Sequence, residues 1–270
     1  MSNCPTKTIG GVRRKLGLLP PDGDSHADVL TLAPQALNLD SATLKHIAQA
    51  GTADKRKTFG SSWIRDQGSH GSCNGYAGAL ALSRARRRVG LSRVILSGDY
   101  LYSLINGGRD QGSHLSAGMA TIMRQGIATE TTVPNGAIYP RKYDQRKADA
   151  EAAKYRGFEC YHTQNINLFF SGLALGFDGV CAVHVGNRFS DLDRNGFAGV
   201  DRGQGNHAVA CDGLIWSGGE LAATAYNSWG IRWGNAGRML LRAAHLEQTI
   251  GVHDFYLIRS ATDDAPPEVR

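Results

Sequence analysis

The chain has 270 residues, 41% hydrophobic and 20% charged, with a net charge of +6 and a pI near 9.1. That length and polarity allow one large domain or two lobes with a substantial core, and exclude a disordered chain. The basic balance attracts acidic partners only weakly. No zinc-knuckle, RNP or helix-turn-helix pattern and no bilayer-length apolar run accompanies it, so neither nucleic acid nor membrane is expected as a partner.

Residues 1–55 read as an N-terminal extension. Leu19-Pro20-Pro21-Asp22-Gly23-Asp24 signals a turn, and Ser41, as an N-cap, opens a helix through Ala50 that Gly51 ends. Residues 56–160 carry helical patterns. The first runs from Cys73 through Ala77, Leu80, Ala81 and Ala85 to Gly90, and its arginines Arg84, Arg86, Arg87 and Arg88 suit a solvated helix end. A further helix is expected over Ser116–Gln125, closed by Gly126. Residues 161–270 change character. One helix over Ile166–Leu175 is followed by strand-like runs at Val180–Val185, Ala208–Cys211, Ala222–Tyr226 and Met239–Leu241. A helical half followed by a strand-rich half is the pattern of an α+β fold.

Five scattered cysteines, Cys4, Cys73, Cys160, Cys181 and Cys211, do not suggest a disulfide framework. The first twenty residues hold no continuous hydrophobic core of the secretory kind. A cytoplasmic or other reducing compartment is therefore expected. Asp191-Leu192-Asp193-Arg194-Asn195-Gly196 matches the first half of an EF-hand loop, but position twelve is Arg202 instead of Glu. A plain turn is expected, and no metal or cofactor.

Three segments carry the chemistry: Gln67-Gly68-Ser69-His70-Gly71-Ser72-Cys73, then Asn206-His207-Ala208-Val209, then Asn227-Ser228-Trp229-Gly230-Ile231-Arg232-Trp233-Gly234. His207 follows Cys73 by 134 positions (207 − 73) and Asn227 follows it by 154 (227 − 73). Taken alone, Cys73 reads as a buried small apolar residue, Asn227 as a turn residue and Gln67 as a surface residue. Together, in the order Gln, Cys, His, Asn, they resemble the papain-like cysteine peptidases, whose signature has His and Asn about 130–150 residues after the nucleophile. The resemblance runs from about Trp63 to Ile258. It departs from the family at His70, where secreted members carry a disulfide-forming Cys, and at Asn74, where an aromatic is usual.

The resemblance implies a two-lobed α+β fold, with a helical N-terminal lobe, an antiparallel β-barrel-like C-terminal lobe and a cleft between them. It implies a peptidase with Cys73 as nucleophile, His207 as general base and acid, Asn227 as orienting amide, and Gln67 with the Cys73 N–H as oxyanion hole. A helix start and a neighbouring imidazolium would make Cys73 a thiolate well below neutral pH. Gly112, Ser113, Asn206 and Trp229 would bind substrate, Gly112 and Ser113 through its backbone, with Asn206 flanking the histidine and Trp229 also shielding it. The expected partner is a peptide or protein substrate. A deamidase or transpeptidase of the same geometry, or a docking component of a larger assembly, stays open. The extension shows no recognisable inhibitory prosegment. It is expected to be a permanent belt or a docking arm, leaving the cleft open, with a propeptide lying in the cleft across Cys73 as the alternative.

Overall fold

The candidate nucleophile is the first residue of a sixteen-residue helix. In a computed structural model, described for residues 4–20, 29–31, 37–56, 60–250 and 252–262, that helix lies against a mixed sheet. In chain order the elements are β1 (Thr6–Ile9), β2 (Val12–Lys15), β3 (Leu30–Thr31), α1 (Ser41–Ala50), α2 (Cys73–Arg88), α3 (Gly98–Ile105), α4 (Leu115–Arg124), α5 (Gln145–Ala152), β4 (Arg156–Thr163), α6 (Ile166–Ala174), β5 (Asp178–Val183), β6 (His207–Ser217), β7 (Glu220–Tyr226), β8 (Arg238–Arg242), α7 (Ala243–Glu247) and β9 (Phe255–Thr262).

Seven strands form one sheet in the order β3-β4-β9-β5-β6-β7-β8. The short β3 pairs parallel to β4, and every other pairing is antiparallel. Alternation along the strands feeds two cores, because successive side chains point to opposite faces. Val180, Ala182, Ala208 and Ala210 meet α2, α3 and α4 through Ala77, Leu101 and Met119. Cys181, Val183, Val209 and Cys211 meet α1 and α6 through Leu44, Phe169 and Leu173. With both faces covered, β5 is buried along its whole length and reads as a continuous apolar run.

Local chemistry accounts for most boundaries. Asp40 caps α1 through the Thr43 N–H at 2.8 Å, one residue before the expected Ser41, and Gly51 closes it in the left-handed region at φ 71°. Of the α2 arginines expected at a solvated end, only Arg87 is exposed. Arg84 and Arg86 are buried. Arg84 pairs with Asp212 and lies 4.3 Å from the Tyr226 ring; Arg86 lies 4.6 Å from the Tyr155 ring. Arg88 reaches Asp178 at 3.2 Å. Spacing on one helix cannot reveal carboxylates supplied by strands β5 and β6. The turn expected at Leu19–Asp24 lies mostly outside the described residues.

The extension divides into two parts. Leu44 and Ala48 of α1 and the following Ala53 belong to the sheet's second core, so residues 37–56 are built into the fold. Residues 4–20 form the β1–β2 hairpin and a following strap. All five cysteines are unbonded, Cys181 and Cys211 facing each other at 3.7 Å. Among the described residues no helix is long and apolar enough to cross a membrane.

Candidate active site

The fold brings the four residues expected to act together into one buried place. Cys73 opens α2 and is fully buried. His207 opens β6, opposite Val183 of β5. Asn227 follows β7, its N–H held by the Gly237 carbonyl at 2.9 Å. Antiparallel pairing sets the start of β6 beside the end of β7, and His207 Nε2 and Asn227 Oδ1 meet at 2.8 Å. The same oxygen accepts the Ser228 N–H at 2.8 Å, which fixes the amide's orientation. Trp229 covers the imidazole at 4.7 Å between centroids, backed edge-on by Phe189 at 6.0 Å. This shields the bond from water.

The other imidazole nitrogen, Nδ1, is buried without a hydrogen-bond partner. The backbone N–H of the next residue, Ala208, faces the Cys73 sulfur. Burial pushes the Cys73 thiol up to about 11, only partly offset by the N–H groups of Ala208, Gly17, Asn74 and Cys73. Burial also pulls His207 down to about 4, partly offset by the Asn227 bond. Both groups are therefore neutral here, contrary to the expected thiolate. A helix N-terminus and an imidazole are in place, but desolvation outweighs them when both groups are sealed from water.

Gln67 is fully buried one turn of loop ahead of Cys73. Its N–H donates to the Ser228 carbonyl at 2.8 Å, and its carboxamide oxygen accepts the Ser228 hydroxyl. Its NH2 donates to the His70 carbonyl at 2.7 Å and lies 3.5 Å from the Lys15 carbonyl. Asn74, the departure after the nucleophile, donates to Ser113 Oγ at 3.1 Å and to the His114 carbonyl at 2.7 Å. It ties the nucleophile helix to the expected substrate edge.

That edge is occupied by the chain itself. Ser113 N donates to the Gly17 carbonyl at 2.9 Å, and Leu19 N donates to the Ser113 carbonyl at 3.0 Å, a parallel pairing centred on Leu18. Leu18 N donates to the Asn206 carbonyl at 3.2 Å. The Asn206 side chain faces away, accepting the Val185 N–H at 2.9 Å. Leu18 packs into the helix-side core with Cys73 and Leu16 into the other. Gly17 crosses directly over the nucleophile loop: a Cβ there would lie 1.9 Å from the Gly71 carbonyl oxygen, and one on Gly112 would lie 2.4 Å from the Gly17 oxygen. Only glycines permit that crossing. Arg14 pairs with Asp66 and donates to the Gly68 carbonyl at 3.0 Å; Lys15 pairs with Asp110 at 2.5 Å. The expected open cleft is thus overturned. The strap lies across Cys73, and the sequence concealed it because its contacts are mainly backbone hydrogen bonds to distant segments.

The papain family cysteine protease profile matches residues 50–256. The chain belongs to the papain family of cysteine proteases. No curated protein matches it. Among solved structures, xylellain, a cysteine protease from Xylella fastidiosa, is similar with TM-score 0.70 and 22% identity, over 96% of this chain and 99% of that one. The proform of the ragweed pollen cysteine protease Amb a 11 has TM-score 0.60 and 21% identity, over 72% of this chain and 61% of that one. The Carica candamarcensis cysteine protease CMS1MS2, in complex with E-64, has TM-score 0.60 and 20% identity, over 74% of this chain and 92% of that one. At these identities the likenesses establish the papain-like fold, while the profile establishes the family.

The residues of this papain-family site that sequence reasoning missed are the strap residues Arg14–Leu19 and Asp110. The one local signal was compositional: residues 4–20 carry Lys7, Arg13, Arg14 and Lys15 and no acid. In the EF-like loop the Asp193 carboxylate is already engaged. Asp193 accepts the Asn195 N–H at 2.9 Å and the Phe197 N–H at 3.0 Å, and pairs with Arg242 at 2.8 Å. Among the described residues no group of three or more His, Cys, Asp or Glu side chains is placed to hold a metal ion.

Proposed function

We propose that this papain-family protein is a cysteine peptidase that hydrolyses peptide bonds through Cys73, His207 and Asn227, and that the present conformation is its latent state. The observation that carries this reading is the His207–Asn227 bond at 2.8 Å, with the opposite imidazole nitrogen buried and unpartnered and the N–H of the next residue, Ala208, facing the Cys73 sulfur. The Cys73 sulfur attacks the carbonyl carbon of the scissile peptide bond as its proton passes to His207 Nδ1. The oxygen takes up negative charge facing the Cys73 N–H and the Gln67 amide, once that amide turns from the His70 carbonyl. The C–N bond then breaks, the amine leaves with the proton from His207, and water hydrolyses the thioester to a carboxylic acid and the free thiol.

The strap is not poised to be cut, because the group it directs at the sulfur is the Gly17 N–H. The open space left beside it, a groove of about 620 Å³ between the hairpin and the Trp229–Gly234 loop, is not lined by Cys73. Substrate binding therefore requires residues 16–20 to leave. Ser113 and the Asn206 carbonyl, now bonded to the strap, and Gly112, packed against Gly17, are the groups that would receive substrate backbone. Trp229, buried against His207, serves the histidine.

The test is hydrolysis of a fluorogenic peptide by wild type, Cys73→Ala and His207→Ala, with a peptidyl epoxide and intact mass to report the thiol. Turnover and labelling that both disappear in Cys73→Ala are expected. Retained hydrolysis in Cys73→Ala would reject the assignment.

A further inference from the structure

Asp110, which no motif singled out, joins more of the site than any of its neighbours. One carboxylate oxygen, Oδ1, accepts the Gly71 N–H at 2.8 Å and the Tyr102 hydroxyl at 2.9 Å. The Tyr102 oxygen in turn accepts the Gly112 N–H at 2.9 Å. Gly71 lies between Gln67 and Cys73, on the loop that supplies the oxyanion donors, and Gly112 begins the substrate edge. One carboxylate therefore sets the spacing between the two segments that must grip opposite sides of the same peptide. The second oxygen, Oδ2, faces His70 Nδ1 at 3.4 Å from the body and Lys15 Nζ at 2.5 Å from the strap. His70 stands where secreted members of the family carry a disulfide-forming Cys. An ionic, hydrogen-bonded link here holds the nucleophile loop without an oxidised bond.

We propose that Asp110 is a positioning residue of the proposed peptidase site, fixing the oxyanion loop against the substrate edge, and that the strap is anchored by Lys15 on this same carboxylate. The proposal rests on the peptidase reading. The surrounding charges are consistent with it. The links to His70, Lys15, Gly71 and Tyr102 hold the Asp110 carboxyl well below the usual range despite its burial. The same carboxylate, aided by the more distant Asp99, raises His70 and is opposed by burial and Lys15. The half-buried Cys4 thiol, pushed up mainly by burial, is the remaining titratable neighbour on the strap side. Removing Lys15 thus leaves Asp110 with His70 as its counter-ion and its Gly71 and Tyr102 bonds intact. Removing the Asp110 charge loosens strap and site together.

The experiment uses the full chain with Lys15→Met, alone and combined with Asp110→Asn. Two rates are read: alkylation of Cys73 by iodoacetamide, and kcat and KM on a fluorogenic peptide. Alkylation by iodoacetamide develops no oxyanion. Lys15→Met is expected to alkylate about tenfold faster than wild type, reflecting a lost charged hydrogen bond, and to gain turnover. Adding Asp110→Asn is expected to keep the fast alkylation while kcat falls about ten- to a hundredfold, a partial loss of oxyanion stabilisation. If the double variant melts early, Tyr102→Phe in the Lys15→Met background, which removes only the hydroxyl link, should show the same split more weakly. Equal kcat with and without Asp110, or alkylation and turnover falling together, would overturn the positioning role. Wild-type alkylation in Lys15→Met would overturn the anchor. Fast alkylation of Cys73 without peptide hydrolysis in Lys15→Met would instead sink the peptidase reading itself.

Discussion

At the scale of single residues, burial decides the chemistry. A helix start beside a histidine ordinarily favours a thiolate, yet here Cys73 is raised to about 11 and His207 lowered to about 4. The neutral imidazole contributes stability that is fully present above its unfolded value of 6.5 and lost as pH falls towards 4, because the unfolded chain binds that proton more readily. The neutral thiol contributes stability present below 9.0 and lost as pH rises towards 11. The melting temperature of the intact chain should therefore fall on acidification through that histidine window. His207→Ala should flatten the dependence there, and an unchanged slope would argue that His207 is not sealed. The nucleophile loop gives a second prediction. Gln67→Ala should lower kcat by about a hundred- to a thousandfold through the lost oxyanion donor, and should also lower the melting temperature, because the Ser228 hydroxyl and the His70 carbonyl lose a buried partner. A KM effect alone would remove Gln67 from that role.

At the scale of elements, the two parts of the extension behave differently. Leu44 is 1% exposed at the core face of α1. Leu44→Ala should cost about 2–5 kcal/mol in denaturant unfolding, as large-to-small core changes do. A change near zero would mean α1 is merely attached. A truncated chain beginning near Lys57 would lose α1 and its core contacts as well as the strap, so it cannot report on the strap alone. Much of this level was legible: α2 was expected from Cys73 to just before Gly90 and spans Cys73–Arg88. Strands β5, β6, β7 and β8 all fall on the expected runs, because apolar alternation and capping residues act locally. Strands β4 and β9 were missed, since β4 mixes Arg156, Glu159 and His162 with apolar residues and both lean on long-range pairing. The hairpin was missed for the same reason: Gly10-Gly11 is a turn signal, but Thr-Lys-Thr-Ile and Val-Arg-Arg-Lys are weakly apolar.

At the scale of the whole molecule, the fold buries Gln67, Cys73, His207 and Asn227 together, while the state of the site was hidden. Motif spacing reports which side chains converge. It does not report that a glycine fifty-six residues before the nucleophile (73 − 17) will cross over it. Closure of the cleft rests on that crossing, and its narrowest point gives the most direct measurement. A side chain at position 17 must collide with the Gly71 carbonyl, 1.9 Å from where its Cβ would lie. Overpacking of this kind costs about 1–3 kcal/mol, enough to raise the population of an open state roughly 5- to 150-fold. The measurement is the rate of Cys73 labelling by a peptidyl epoxide in full-length wild type and Gly17→Val, read by intact mass and peptide mapping. Slow labelling of wild type and severalfold or faster labelling of Gly17→Val, at Cys73 in both, is the predicted result. Equal, rapid labelling of the two proteins would contradict a closed cleft.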